Sequence, residues 1–294
     1  MRARLIFNPA AGHNRRSPRF VRRLQEFAAH HSAAVELVST RAPGHATELA
    51  AEAARRGFDA AVAVGGDGTA NEVAQGLVGT ACALGLVPRG SGNGLARHTG
   101  IPLRDATALD LLINGRARRR TIDTGTADGR VFINAMGCGY DAEIAQRFAS
   151  STRRGFLTYA QLCLSALRDL HTQRVEIEAG ASRFALDALL VTVANSPQYG
   201  NEAEVAPGAE VDDGQLDLVA VGGIGAFGGA LLAARLFLGN FDRHPAVRRV
   251  AGTEYLIRRA EAGWLHTDGE PHQAGREIRV VIRPRSLDLL VPAR

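Results

Sequence analysis

Lysine is absent from this chain of 294 residues, and all 35 of its basic side chains are arginines. Without lysine there is no G-x-x-x-x-G-K phosphate loop, no protein-kinase strand lysine and no amine for a Schiff base. A codon bias towards arginine and alanine accounts for the absence without a functional cause. Any phosphate bound here must meet backbone N–H groups, helix N-termini, a metal ion or arginine. Aromatic residues are also scarce, at 5%, and the net charge is only +5. Stacking and strong basic excess are therefore both missing, and a nucleic-acid partner is not expected. The three cysteines, Cys82, Cys138 and Cys163, lie far apart among apolar neighbours with no CxxC. They read as small buried hydrophobes in a reducing compartment. Long apolar runs are lacking too. Leu218–Ala234 has no charge over 17 residues, but it holds five glycines and falls short of the ~20 residues a spanning helix needs. It reads as a strand, a glycine-rich turn and the start of a helix. The opening MRARLIFNPAAG has no apolar core of signal-peptide length. These absences predict a soluble, cytoplasmic protein.

What is present, 46% hydrophobic and 22% charged residues, suffices for one large or two medium domains. Over the first 120 or so residues, strand and helix patterns alternate. Strands are expected at Ala3–Phe7, Val35–Val38, Ala60–Val64 and Ala83–Val87, and helices at Pro18–His30, Gly44–Arg56 and around Val73–Val78. Such alternation predicts an open, mostly parallel sheet, with ligands beyond the carboxyl ends of its strands. After Thr121 strand-like runs dominate, at Val131–Ala135, Arg174–Glu178, Ala188–Ala194, Leu216–Val221, Tyr255–Arg258, Ile278–Ile282 and Leu287–Val291. Turn signals such as Asp212-Asp213-Gly214 and Asp268-Gly269 separate them, as in an antiparallel sandwich or barrel. Two helical insertions are expected, Phe156–Leu170 and Phe227–Phe241, the second with Leu231, Ala234, Leu238 and Phe241 on one face. The run Arg118-Arg119-Arg120 reads as a solvated face.

Three loops fall at the carboxyl ends of the N-terminal strands. The sharpest is Gly65-Gly66-Asp67-Gly68-Thr69-Ala70-Asn71, where a buried strand ends in glycines and a helix begins at once. Glycines let a ligand approach the main chain, and the helix start offers unpaired N–H groups and a positive dipole end. Asp67 could hold Mg²⁺ or align a hydroxyl, and Thr69 could donate to a phosphate oxygen; a tight turn with Thr69 as N-cap is the structural alternative. Pro88-Arg89-Gly90-Ser91-Gly92-Asn93 repeats the context, and Asn8 follows the first strand. Three such loops at one sheet edge favour a nucleotide site.

The motifs FNPAAG (Phe7–Gly12), GGDGTANEV (Gly65–Val73), PRGSGNGLARHTGIP (Pro88–Pro102) and HTDGEP (His266–Pro271) resemble, in order, those of the diacylglycerol and sphingosine kinase catalytic-domain family and its bacterial soluble lipid kinases. The resemblance implies an α/β N-terminal domain, an open sheet like that of NAD kinase and phosphofructokinase, and a C-terminal antiparallel β-sandwich with helical insertions. The implied domains are 1–122 for nucleotide and 123–282 for lipid, with 283–294 packing back on the first. It also implies ATP- and Mg²⁺-dependent phosphorylation of a lipid hydroxyl, of diacylglycerol or a related glycerolipid, or of a sphingoid base or ceramide. Carried over by motif, Asn8, Thr40, Gly65, Gly66, Asp67, Gly68, Thr69, Asn71 and Ser91 surround ATP. Glu270 is the proton acceptor, with Asp268 and Asp67 as its catalytic partners. A second Mg²⁺ falls to the Asp213 side chain and the main-chain carbonyls of Glu210 and Gln215, for which oxygen-only ligands are suited; an Asp-Gly turn is the alternative there. Asp141 matches a headgroup contact of sphingosine kinases, Asp123 an active-site aspartate of bacterial diacylglycerol kinases, and Arg153 and Arg154 a phosphate-contacting basic pair. Peripheral contact with the inner membrane face and a homodimer are further expectations.

The chain departs from the diacylglycerol kinases at Asn93-Gly94, where those enzymes carry an aspartate after the asparagine; small residues there resemble sphingosine and ceramide kinases. The helix Phe227–Phe241, followed by Arg243, Arg248 and Arg249, reads either as a membrane-contact element or as a core helix with a basic edge. Two rival functions share parts of the pattern: a soluble-substrate kinase like NAD kinase, and a catalytically silent lipid or nucleotide sensor.

Overall fold

The computed structural model describes residues 1–11, 14, 17–151, 161–162, 165 and 171–293. The chain divides into two compact units: Met1–Ile122 with Arg285–Arg294, and Asp123–Pro284.

In the first unit, strands β1 (Ala3–Phe7), β3 (Ala60–Gly65) and β4 (Ala83–Pro88) are buried at every position. That is why they read as unbroken apolar runs rather than alternating ones, as central parallel strands covered on both faces do. With β2 (Val35–Ser39) they form a parallel sheet in the order β2-β1-β3-β4. The register sets Phe7 beside both Ser39 and Val64, and Gly65 beside Pro88. Four strands therefore end level, and their following loops share one edge of the sheet. Helix α1 (Pro18–His30) buries Phe20, Leu24 and Ala28, one position per turn, as an amphipathic helix must. Helix α2 (His45–Arg55) buries Ala46, Ala50 and Ala53. Helix α3 spans Asp67–Leu77, α4 Gly94–His98 and α5 Asp105–Ile113.

Strand β5 (Ala117–Ala127) contains Arg118-Arg119-Arg120 and is exposed in its first half, buried in its second. Arg119 is not merely solvated, since it donates to Asp288 at 3.1 Å and to the carbonyls of Ala81 and Asp59.

The second unit is an antiparallel β-sandwich. Strands β6 (Arg130–Phe132), β7 (Ala135–Gly139), β8 (Gln173–Ala179), β9 (Ser182–Ala194) and β12 (Leu216–Gly222) carry it, with β10 (Gln198–Gly200) and β11 (Ala203–Glu204) as a small hairpin. Long β9 is the organiser: its first half pairs with β8, and its second half with both β7 and β12. Helix α6 (Tyr140–Ser150) follows β7. The remaining elements are α7 (Ala226–Leu236), β13 (Val247–Gly252), β14 (Glu254–Arg259), β15 (Gly263–Thr267), β16 (Glu270–Ala274) and β17 (Glu277–Pro292). One core gathers Phe132, Met136, Ile177, Val193, Leu218, Tyr255, Ile257 and Leu265. A second gathers Leu189, Val219, Val221, Leu232 and Phe241.

Three sequence expectations change in detail. The runs Ile278–Ile282 and Leu287–Val291 are one strand, β17, carried through Arg285 at φ 49°. Val131–Ala135 is two strands, parted at Ile133-Asn134, whose N–H groups are taken by Asp268. The helix expected to Phe241 ends at Leu236, and the chain reverses at Gly239 with φ 61°. Its buried side chains are Leu232 and Phe241, whereas Leu231 and Leu238 are exposed. Most of the expected helix Phe156–Leu170 lies outside the described residues.

Candidate functional site

In the first unit the loop between β3 and α3 is a single residue, Gly66, in extended backbone as the helix N-cap. Thr69 therefore sits inside the first turn of α3 rather than capping it. The second glycine loop packs directly on this one. A Cβ on Gly90 would stand 2.7 Å from the Cα of Gly66, so only glycine lets the two main chains pass. Asp67, the first residue of α3, joins the loops through both carboxylate oxygens. The N–H of Asn93 donates to its Oδ2 at 2.8 Å and the N–H of Gly94 to its Oδ1 at 2.9 Å. It thus caps the first turn of α4 from a neighbouring helix, a charge-assisted arrangement. Asn93 adopts φ 51° and clips its own loop, accepting from Gly90 N–H at 3.0 Å and donating to the Gly90 carbonyl at 2.9 Å.

The Asn8 amide donates to Thr69 Oγ1 at 3.1 Å, and its side-chain oxygen accepts from Ala10 N–H at 3.0 Å. Asn71 is buried and accepts from Gln75 at 2.5 Å. Thr40 is buried after β2, its N–H on the Phe7 carbonyl at 2.9 Å. Ser91 is exposed in the second glycine loop. Arg89 is structural: it donates to Asn14 at 3.0 Å and Asp105 at 3.2 Å, and stacks over Phe20. Asn8, Gly65, Gly66, Asp67, Gly68, Thr69 and Asn71 thus share one edge with the Gly90–Asn93 loop. What this edge offers a ligand is main-chain N–H groups at the start of α3.

In the second unit, Thr267 faces Glu270 across a two-residue connection, with Asp268 at φ 50° and Gly269 at φ 84°. Two left-handed residues in a row make the type I′ turn that Asp-Gly favours between antiparallel strands. The hairpin turn and the Asp268-Gly269-Glu270 motif are one object. Asp268 Oδ2 accepts from Ile133 N–H at 2.8 Å, and Oδ1 from Asn134 and Ala135 N–H at 2.9 Å each. Its carboxylate is thereby committed to backbone amides and fixes the turn against the β6–β7 link. Glu270 opens β16 and is exposed.

Behind the turn lies a buried polar cluster. His266 Nδ1 accepts from Gly269 N–H at 3.4 Å, which leaves Nε2 to donate to Asp141 Oδ2 at 3.3 Å. Asp141 Oδ2 also accepts from Thr192 Oγ1 at 3.0 Å and Tyr199 OH at 3.1 Å, and Oδ1 from Ala142 N–H at 2.8 Å. Asp141 is thus buried among four donors. His266, Thr192 and Tyr199 were not singled out from sequence; His266, inside HTDGEP, was the one that a motif marked.

Asp123 is fully buried, its Oδ2 accepting from Gly214 N–H at 2.8 Å and its own N–H donating to the Val211 carbonyl at 2.7 Å. It anchors the loop that carries Glu210, Asp213 and Gln215. Asp213 Oδ1 accepts from Gln215 N–H at 2.9 Å. Partial burial, with the Asp217 and Asp123 carboxylates nearby, raises the Asp213 carboxyl above its usual range. Among the described residues no cluster of three or more acidic, His or Cys side chains is arranged for a metal. The Asp213 loop, with one carboxylate and main-chain oxygens, is a different kind of donor set. Arg154 and its neighbour Arg153 lie outside the described residues.

The first unit thus offers a glycine-rich helix start at a parallel-sheet edge, and the second an acidic hairpin on a β-sandwich. Residues 2–127 match the family described as Diacylglycerol kinase catalytic domain, and residues 134–291 that described as YegS C-terminal NAD kinase beta sandwich-like domain. The chain is 37% identical over 225 residues to the diacylglycerol kinase of Bacillus subtilis (strain 168), covering 74% of this chain and 73% of that protein. It is 31% identical over 264 residues to the "Probable lipid kinase YegS-like" protein of Pseudomonas putida, covering 85% and 83%. A crystal structure of a diacylglycerol kinase from Bacillus anthracis (strain Sterne) shares the fold, with a TM-score of 0.75 at 21% identity over 99% of this chain and 96% of that one. The chain belongs to the diacylglycerol kinase catalytic-domain family of bacterial lipid kinases: it is a transferase that phosphorylates an alcohol group. Among the described residues, no helix is long and apolar enough to cross a membrane.

Proposed function

We propose that this lipid kinase transfers the terminal phosphoryl group of ATP, with Mg²⁺, to a hydroxyl of diacylglycerol or a related glycerolipid. A sphingoid base or ceramide is the second substrate class, favoured by Asn93-Gly94 in the second glycine loop. The observation that carries the reading is the paired-loop edge of the first unit, where Asp67 clamps the Gly90–Gly94 loop beside the start of α3. Helix-start amides and glycine main chain replace the lysine that this chain lacks as the cradle for phosphate.

Glu270 accepts the proton of the attacking hydroxyl. It is the exposed carboxylate of the acidic turn, while Asp268 is spent on three amides. General-base help of this kind contributes about 10²–10⁴-fold. Asp268 and His266 act through the turn by holding its backbone. Asp67 serves the same end in the first unit, by setting the loop that faces the nucleotide. Asp213, with the main-chain carbonyls of Glu210 and Gln215, would hold a Mg²⁺. The raised Asp213 carboxyl and the neighbouring Asp123 and Asp217 mark a locus of excess negative charge, and the donors are all oxygens. Such an ion would neutralise charge and stiffen the loop. A substrate held in a bilayer implies peripheral work at the inner membrane face from the cytoplasm.

Incubation with radiolabelled ATP, Mg²⁺ and a panel of lipid alcohols, followed by organic extraction, tests the reading. Label in an extracted glycerolipid is expected. Label confined to NAD in the aqueous phase would replace it with a soluble-substrate kinase, and binding of ATP and lipid without turnover would replace it with a sensor.

A further inference from the structure

Helix α7 is apolar but for Arg235 in its last turn, yet among the described residues only one of its sides is covered. Leu232 is 4% exposed and packs with Val219, Val221 and Phe241, with Leu236 against the same cluster. The other side carries Phe227 at 88% exposure and Leu231 at 52%; the turn after it adds Phe237 at 52% and Leu238 at 69%. Among the described residues only six large hydrophobics are exposed, and four of them fall within these twelve positions. At 100° per residue, Phe227 and Leu231 lie on one stripe with Ala230 and Ala234, both exposed. A helix with a second exposed apolar face besides its core face is suited to a further partner, and clustering of this kind marks an interaction surface.

The charge pattern selects the occupant. From Leu218 to Phe241 the one charged residue is Arg235, and no acidic side chain interrupts the segment. The chain then presents Arg243, exposed and without an ion-pair partner among the described residues, and exposed Arg248 stacked on Phe184. Arg249 is held by Asp217 at 2.8 Å and Asp242 at 3.0 Å, so it belongs to the scaffold rather than to this surface. Apolar side chains beside exposed arginines fit an acyl layer under anionic headgroups. With eleven residues the helix is about 16 Å long, so it can lie in the interface and cannot span it.

We propose that α7 and the turn after it, through Phe227, Leu231, Phe237 and Leu238, dock this enzyme on an anionic bilayer, with Arg243 meeting the headgroups. The proposal deepens the lipid-kinase reading and rests on it for the source of the bilayer.

The test is co-sedimentation of the full chain with vesicles of phosphatidylcholine alone or mixed with phosphatidylglycerol. It compares wild type, the double variant Phe227→Ser with Leu231→Ser, and Arg243→Glu. Both sites are exposed, and an unchanged melting temperature verifies that the variants fold. Wild type is expected to sediment with the mixed vesicles. The double variant should bind them at least about tenfold more weakly, because two large apolar side chains no longer leave water. Arg243→Glu should weaken binding to mixed vesicles only. On a short-chain, water-soluble diacylglycerol the double variant should keep the wild-type rate, while losing activity on diacylglycerol presented in vesicles. Equal vesicle binding by wild type and double variant, or none by wild type, overturns the proposal. A double variant that turns a dimer into a monomer with vesicle binding intact also overturns it, by assigning the face to a second copy of the chain. Vesicle binding through these residues without phosphorylation of any lipid upholds the docking surface and removes the kinase reading instead.

Discussion

Replacing Asp268 separates a scaffold role from a chemical one. In the folded chain its two oxygens accept three amide hydrogens, from Ile133, Asn134 and Ala135, at 2.8–2.9 Å. A hydrogen bond to a charged group is worth about 1.5–3 kcal/mol net. Three that share one carboxylate are not additive, and Asp268 is half-buried, so Asp268→Ala should cost about 3–5 kcal/mol. That lowers the melting temperature by about 10 °C for a unit of this size. Asp268→Asn keeps an oxygen for Asn134 and Ala135 but sets an amide against the Ile133 N–H. It should lose about half as much, at roughly 1–3 kcal/mol. Thermal melts and urea titrations read the stability, and kcat on a lipid substrate reads the chemistry. Stability and turnover should fall together along the order aspartate, asparagine, alanine. Wild-type stability in Asp268→Ala with collapsed kcat would refute the scaffold reasoning and make Asp268 a reacting group.

Three other outcomes follow from the same geometry. Asp67→Ala removes the acceptor for Asn93 and Gly94 N–H. It should cost about 2–3 kcal/mol in stability and abolish the thermal protection given by Mg-ATP; retained protection and turnover would remove Asp67 from the site. Gly90→Ala places a methyl 2.7 Å from the Gly66 Cα and should weaken ATP binding at least about tenfold through a parted loop pair, read by calorimetry. For Asp213, the folded-state carboxyl is raised above its ordinary value of 3.8. Its protonated form therefore favours the fold, and that contribution is lost as pH rises from about 3.8 through the raised value. At neutral pH and without Mg²⁺, Asp213→Asn should accordingly melt higher than wild type. Added Mg²⁺ should raise the melting temperature of wild type and leave that of the variant unchanged; equal response of the two would take the ion away from this loop.

The parts legible in the sequence were those whose cause is local. Strands β1, β3 and β4 are unbroken apolar runs because both faces are covered, and the glycines that end β3 sit directly before α3. β5 stayed hidden because its first half turns arginines outward, and what holds Arg119 is Asp288, 169 positions away. The split of β6 from β7 was equally out of reach, since a distant carboxylate takes the N–H groups between them. The same limit applied at the site. Motif spacing singled out Asp67, Asp268 and Glu270, but it does not distinguish a carboxylate spent on amides from one left exposed. That distinction comes from partners brought in by the fold, as does the Asp141–His266 contact across 125 positions.

The most direct test of the account is transfer of label from radioactive ATP, with Mg²⁺, to diacylglycerol in mixed micelles, by wild type and Glu270→Gln side by side. Glu270 is exposed, so the variant should keep the wild-type melting temperature. Label is expected in the lipid phase for wild type, with a rate lower by about 10²–10⁴-fold for Glu270→Gln. Equal rates for the two proteins, or wild-type label found only in a water-soluble product, would contradict it.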